Sequence, residues 1–315
     1  MIVGIDETGD FRDGSRAWLV AVLVRPSSLT TIEAALRTWE RQTRRRLGLS
    51  NEIKGTQIDT AAAESFVHEV VGAGDGASVF WTAHAVDFDA ASRAGMTVQR
   101  RILSDGYAAW ADMQVGSDDP RRRKFEGVLR HWAGWMRARD DREMLKLATL
   151  ATLLPLAVEW AFGRSIAGGF DEELVELSIR IDRGYVSQSE MVIWRDIVRN
   201  VFYDRTRLRP IPFSDQWGPD HPVLEAFVEK SLGETTFQLK PSFKERIDFH
   251  DSATTPVVRI ADVVAAIVRR GEDGGPLLAA RRLLKPSHFD SYPYTVLQWT
   301  DEARDPGPNP WATRM

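Results

Sequence analysis

Residues 1–10 read Met1-Ile2-Val3-Gly4-Ile5-Asp6-Glu7-Thr8-Gly9-Asp10, a short apolar run that ends abruptly in carboxylates. Ile2, Val3 and Ile5 suit a buried strand, and Gly9 marks where the chain turns away. Such a strand delivers Asp6 and Glu7 to its C-terminal end, at the sheet edge where α/β proteins build their sites. In a regular strand successive side chains alternate, so Glu7 points to the face opposite Asp6. A carboxylate in this place holds a metal, works as an acid or base, or caps a turn. The rest of the chain has to decide between these.

Outward from this strand, strands and helices alternate. Ala17 to Val24 (AWLVAVLV) is a second, fully apolar strand, and the polar, Gly-containing stretch before it reads as a hairpin connection. Ser27 to Leu47 reads as a helix with Ser28 or Thr30 as caps and Ile32, Leu36 and Trp39 on one face. Asn51 to Gly55 is a short polar connector or edge strand, Thr60 to Val71 another helix, and Ala77 to Val86 a third strand. Strand character returns at Leu174 to Asp182. Ser187 to Tyr203 is a helix, Arg207 to Phe213 and Arg246 to Phe249 are further strands, and Thr254 to Arg270 is the last helix, with Thr255 as N-cap and Pro256 at its first position. The expected architecture is α/β: a core over about 1–88 and 172–290, a helical insertion over 89–171, and a loose Pro-rich tail over 301–315.

Bulk properties narrow the classes. The chain has 315 residues, 43% hydrophobic and 27% charged, as a globular protein does. A formal charge of -4 argues against bulk electrostatic coating of nucleic acid, though not against a local basic groove. The absence of cysteine excludes disulfides, thiolate catalysis and Cys-based zinc sites, and it fits a cytoplasmic setting. The apolar stretch Leu147 to Val158 is too short to span a bilayer and reads as a buried helix, so no membrane is expected. Only seven of the 41 basic residues are lysine, and arginine's planar fork suits phosphate. Most of the arginine clusters read as solvated helix faces. The tryptophans and Tyr185 could stack bases, but at helical spacing tryptophans are more often core. His250 could serve as a ligand or proton shuttle beside Asp251.

The chemistry rests on carboxylates placed at element ends. Asp6 and Asp182 each end a strand, Asp251 follows the strand that ends at His250, and Asp262 lies inside the last helix, PVVRIADVVAAIVRR. Val258, Ala265 and Ala266 stand three or four residues from Asp262, on its own face. A charge on a packing face is costly unless it is paired or bound to metal. Singly, Asp262 could bond a buried Arg or an amide, and Asp182 and Asp251 could be turn formers. Together they offer the oxygen ligands that hard divalent cations such as Mg²⁺ and Mn²⁺ take. Two such ions about 3.5–4 Å apart can clamp the oxygens of a phosphodiester.

The same residues resemble the DUF3800 family, which has an RNase H-like (retroviral integrase superfamily) fold. Its opening Asp-Glu-Ser-Gly is matched by Asp6-Glu7-Thr8-Gly9, its Glu-x-Lys-Gly by Glu52-Ile53-Lys54-Gly55, and its mid-chain strand ending in Asp by Ile179 to Asp182. Its Asp-Ser pair and final Gln-x-Ala-Asp helix are matched by Asp251-Ser252 and Arg259-Ile260-Ala261-Asp262. The resemblance implies an RNase H-like mixed sheet flanked by helices, acting as a Mg²⁺- or Mn²⁺-dependent nuclease on DNA or RNA. Asp6, Asp182 and Asp262 would hold the metals, with Glu7 and Asp251 in support. Thr8 keeps the hydroxyl of the usual Ser. Arg259, in place of Gln, and Arg183 are candidate phosphate contacts. Lys54 could hold the scissile phosphate. Asp6, Glu52 and Lys54 also suit the PD-(D/E)xK nuclease arrangement, although the helix Asp fits RNase H-like order better. Two other readings stay open: a non-catalytic nucleic-acid-binding or interaction module, and a phosphate-ester hydrolase acting on a small nucleotide.

Overall fold

The computed structural model of the chain describes residues 1–9, 15–73, 79–116, 118–208, 211–212, 217–218, 220–231, 236–272, 274–284 and 294–297. Strands β1 (Ile2–Thr8), β2 (Ser15–Val24) and β3 (Val79–Phe88) form an antiparallel meander. β4 (Ser178–Asp182) pairs parallel with β1. A separate sheet holds β5 (Ile211–Pro212), β6 (Val228–Ser231) and β7 (Thr236–Leu239), in the order β5-β7-β6. The chain returns to the main sheet with β8 (Ile247–His250), parallel to β4, and β9 (Tyr294–Leu297), parallel to β3. The main sheet therefore runs β8-β4-β1-β2-β3-β9. It is a mixed parallel and antiparallel sheet with helices on both faces.

The helices are α1 (Leu29–Leu47), α2 (Thr60–Phe66), α3 (Ala90–Asp112), α4 (Pro120–Arg137), α5 (Asp141–Gly168), α6 (Met191–Leu208), α7 (Pro222–Phe227), α8 (Pro256–Arg270) and α9 (Leu278–Leu283). They divide between two cores, one on each face of the sheet. Val3, Ile5, Leu19, Leu23 and Phe80 point into the core built with α3, α5 and α6. Ile2, Trp18, Val20, Val22 and Trp81 point into the core built with α1, α2 and α8. Burial on both faces is why the strands read as continuous apolar runs rather than alternating ones. α8 lies directly on β1, and Gly4 permits this: a Cβ there would stand 2.4 Å from the Val257 carbonyl oxygen.

The segment expected as a helical insertion is helical from α3 through α5, and together with α6 it builds the core on one face of the sheet. α5 begins in a capping box between Asp140 and Glu143 and ends at Gly169 in the left-handed conformation. It extends well beyond the apolar stretch Leu147–Val158 and is long and apolar enough to cross a bilayer, yet 76% of its apolar window is buried inside the fold.

Three expected elements differ. The strand expected from Leu174 starts only at Ser178, because Asp171–Glu176 winds into a 3₁₀ turn whose Leu174 carbonyl accepts the Leu177 N–H at 2.7 Å. Three acids open that turn, where the helix dipole favours them. The strand expected over Arg207–Phe213 shrinks to Ile211–Pro212, an edge pair as Pro212 requires, while Arg207 and Leu208 finish α6. Arg209, Pro210 and Phe213 lie outside the described residues, as do Ala77, Ser78 and the tail 301–315. Thr255 occupies the N-cap of α8, but its side chain makes no capping bond; Pro256 alone marks the start.

Candidate carboxylate site

The register places the first two candidate residues side by side. Ile5 of β1 faces Ile181 of β4, so Asp6 and Asp182 follow on adjacent parallel strands, roughly 4.8 Å apart in backbone spacing. Val3, Ile5, Ile179 and Ile181 turn to the α5 face, so alternation turns Asp6 and Asp182 to the α8 face. Asp182 in turn faces His250 of β8. α8 crosses above and adds Asp262.

Electrostatics report that these groups share one space. Asp6 is 6% exposed, and burial, followed by the charges of Asp262 and Asp182, holds its carboxyl well above the usual range. The Glu7 N–H, donating to Asp6 Oδ1 at 2.8 Å, works the other way without prevailing. Asp182 is raised by burial and by Asp251 and Glu52, against backbone N–H bonds from Gly184 and Ser252. Burial also raises Asp262, with Glu52 and Asp182 adding to it and Arg259 opposing. A buried group of like charges disfavours ionisation of each member. Glu52, which the sequence offers in the Glu-x-Lys-Gly element and as a site residue in the alternative nuclease arrangement, acts on both Asp182 and Asp262.

Arg259 organises one wall of this group. Its side chain is 3% exposed. Nε donates to Glu40 of α1 at 2.9 Å, Nη1 to Glu52 at 3.3 Å and to Asp262, and Nη2 to the Ile53 carbonyl. Its donors are spent inside the protein, which corrects the expectation that Arg259 contacts a substrate phosphate. The loop carrying Glu52 is drawn down onto α8 by further bonds. Arg270 donates to the carbonyls of Gly55 and Ile58 at 2.7 and 2.6 Å. Gly55 allows that approach, since a Cβ there would stand 2.6 Å from the Ala266 Cβ.

The other candidate residues surround the group. Glu7 turns to the opposite face, where Lys146 of α5 donates to it at 2.6 Å. Glu7 is half-buried, and desolvation raises its carboxyl despite Lys146. It therefore does not face Asp6 and Asp182 as a direct supporting ligand would. Asp251 pairs with the half-exposed Arg183 at the end of β8. Lys54 is 66% exposed and pairs with Glu52 at 2.8 Å, so it stands on the rim. Burial, then Arg180, lowers the His250 pKa, which leaves the ring neutral near pH 7. Trp132 and Trp135 are occupied in ring contacts with Tyr107 and Trp194 inside the helical face, so they serve packing. The Tyr185 side chain lies outside the described residues.

The donor set suits a hard divalent ion, because every candidate ligand is a carboxylate and burial leaves their shared charge poorly compensated. As they stand, no three His, Asp or Glu side chains among the described residues have the mutual spacing one ion requires. Asp262 is turned toward Arg259 instead. In comparisons with known proteins the chain matches no family model, no curated protein and no solved structure.

Proposed function

We propose that this chain is a metal-dependent nuclease on an RNase H-like fold, of the DUF3800 type its motifs resemble. One observation carries the reading: the strand order β8-β4-β1-β2-β3, with β2 antiparallel and β4 and β8 parallel to β1, ends in a helix that brings Asp262 over the neighbouring Asp6 and Asp182. RNase H-like enzymes draw their ligands from those three places. Asp6, Asp182 and Asp262 would hold Mg²⁺ or Mn²⁺, with Glu52 behind them. Such ions, when bound, neutralise the phosphodiester and activate water for hydrolysis. Asp6 and Asp182 are fixed by their strands. Arg259 fixes Glu52 and Asp262, and Lys54 on the rim can meet an incoming phosphate.

A second reading has its own support. Asp262, Asp251, Glu52 and Glu7 each have a cationic partner, as a non-catalytic binding module on the same fold would require. A nuclease assay with Mn²⁺ on single- and double-stranded DNA, RNA and hybrid, beside Asp6→Asn/Asp262→Asn, decides between the two. Cleavage abolished by chelator and by the double variant supports the nuclease. A folded wild type that cuts none of these substrates supports the module.

A further inference from the structure

The α3–α4 hairpin is rooted at the carboxylate end of the sheet. Thr97 donates to Asp141 at 3.0 Å, Arg100 pairs with Asp141 at 3.4 Å, and Trp135 donates to Glu190 at 3.2 Å. Lys146, one helical turn further along α5, pairs with Glu7, the neighbour of Asp6. From that root α4 runs back over 18 residues, about 27 Å at helical rise, to a tip around Pro120.

Along the hairpin Arg137 pairs with Asp105 and Arg130 with Asp112 and Glu126, while Arg101 is a single exposed cation with no ion pair among the described residues. At the tip four such cations are consecutive. Arg121, Arg122, Arg123 and Lys124 are all exposed, and among the described residues none of their side chains has an ion-pair partner. Asp119 nearby caps the helix through the Arg121 N–H at 2.8 Å. At successive helical positions the four circle the axis. They occupy the first turns of α4, where the dipole is positive and cations weaken a helix. Folding therefore gives no reason for them, and in a chain of net charge -4 they stand out. Exposed Met113 and Val115 stand in the turn that follows α3.

We propose that this tip grips the phosphate backbone of a nucleic acid whose cleaved segment lies at the carboxylates. The choice of polymer rests on the nuclease reading; the cationic, unmatched tip does not. Arg suits the partner because its fork takes two phosphate oxygens.

The test compares the full-length wild type with Arg121→Ala/Arg122→Ala/Arg123→Ala/Lys124→Ala. Binding of a labelled DNA duplex longer than the hairpin is measured in chelator across a salt series, with melting curves to confirm that both proteins fold. The variant should bind about 10- to 100-fold more weakly, and its slope of log affinity against log salt should fall by about 3–4, at roughly 0.9 per lost contact. Equal affinity and slope, or no duplex binding by the wild type, overturns the proposal. So does loss of binding to anionic phospholipid vesicles with duplex binding intact. Cleavage separates this inference from the nuclease reading. A tip variant that still cuts an oligonucleotide too short to reach the tip, but cuts the long duplex poorly, supports both. Tip-dependent binding with no cleavage of any substrate keeps the grip on the phosphate backbone and removes the nuclease, and with it the cleaved segment at the carboxylates.

Discussion

Arg259 and Asp262 stand one helical turn apart on α8 and form an ion pair, and the same guanidinium reaches Glu52 and Glu40 on two other elements. Removing one side of such a buried network strands the others without a counter-charge, at a cost of about 3–5 kcal/mol. Arg259→Ala is therefore expected to destabilise the fold by that order in denaturant melts. Arg259→Lys should recover only part, because an ammonium cannot place donors on both Glu40 and the Glu52–Asp262 pair at once. Full stability in Arg259→Ala would remove Arg259 as the organiser of this wall.

Asp6 gives a prediction with a definite sign. Its carboxyl is raised above the ordinary value of 3.8 by burial and by Asp262 and Asp182. Between the ordinary and the raised value the folded chain holds more protons than the unfolded one, so stability falls as pH rises through that window. The contribution is fully present below 3.8 and lost once pH exceeds the raised value. Metal-free Asp6→Asn should melt higher than wild type at neutral pH, by about 2–4 °C per kcal/mol relieved. The gap should close on acidification. Comparing the two proteins cancels groups far from Asp6, whereas Asp182 and Asp262, whose charges act on Asp6, change with it. A variant that melts lower at neutral pH contradicts the buried-repulsion account.

The loop carrying Glu52 depends on a missing side chain. A Cβ at Gly55 would meet the Ala266 Cβ at 2.6 Å, far inside contact distance. Gly55→Ala should cost about 1–3 kcal/mol as an overpacked core position does. Gly55→Ala/Ala266→Gly should regain part of that loss in thermal melts, since the second change opens the space the first one fills. Failure of the double variant to recover would place the strain elsewhere.

What the sequence made legible was local. The opening strand, the apolar second strand and the last helix follow from runs and periods that lie within about twenty residues. The opening strand and the last helix set Asp6 and Asp262 at their places, the mid-chain strand ends at Asp182, and alternation alone turned Glu7 away from Asp6. Contacts between distant segments were not legible. Arg259 finds Glu40 and Glu52 across 219 and 207 residues, and Glu7 finds Lys146 across 139. No local pattern distinguishes such an arginine from one that faces solvent. The small sheet escaped for another reason: Val228–Ser231 has a single apolar residue, and the alternation of Thr236–Leu239 lasts only four residues, too short to stand out.

Glu7 and Lys146 allow a cleaner dissection than the crowded α8 face. Both side chains are about 15% exposed, and among the described residues Glu7 Oε2 is buried with no hydrogen-bond partner. Lys146→Met leaves that carboxylate buried and uncompensated, an expected loss of about 3–5 kcal/mol. Glu7→Gln/Lys146→Met removes both charges and should be markedly more stable than Lys146→Met alone. A double-mutant cycle in denaturant reads the coupling directly. Additive losses would mean the pair contributes nothing.

The last prediction concerns the ions themselves, read by stability rather than by cleavage. An ion that binds only the folded chain stabilises it by RT ln(1 + [L]/Kd), about 2.7 kcal/mol at a hundredfold excess over Kd. If Asp6, Asp182 and Asp262 form its seat, Mn²⁺ should raise the wild-type melting temperature, and at this chain length by several degrees. Asp6→Asn and Asp182→Asn should each abolish that rise, although the first melts higher without metal. Glu7→Gln should keep the rise, because Glu7 faces Lys146 on the other side of the sheet. The contrast between Asp6 and Glu7, adjacent in sequence and opposite in orientation, is what makes the measurement specific. A rise that survives Asp6→Asn would place the ion elsewhere. No rise in the wild type would favour the non-catalytic module, in which Arg259 remains the permanent counter-charge of Asp262.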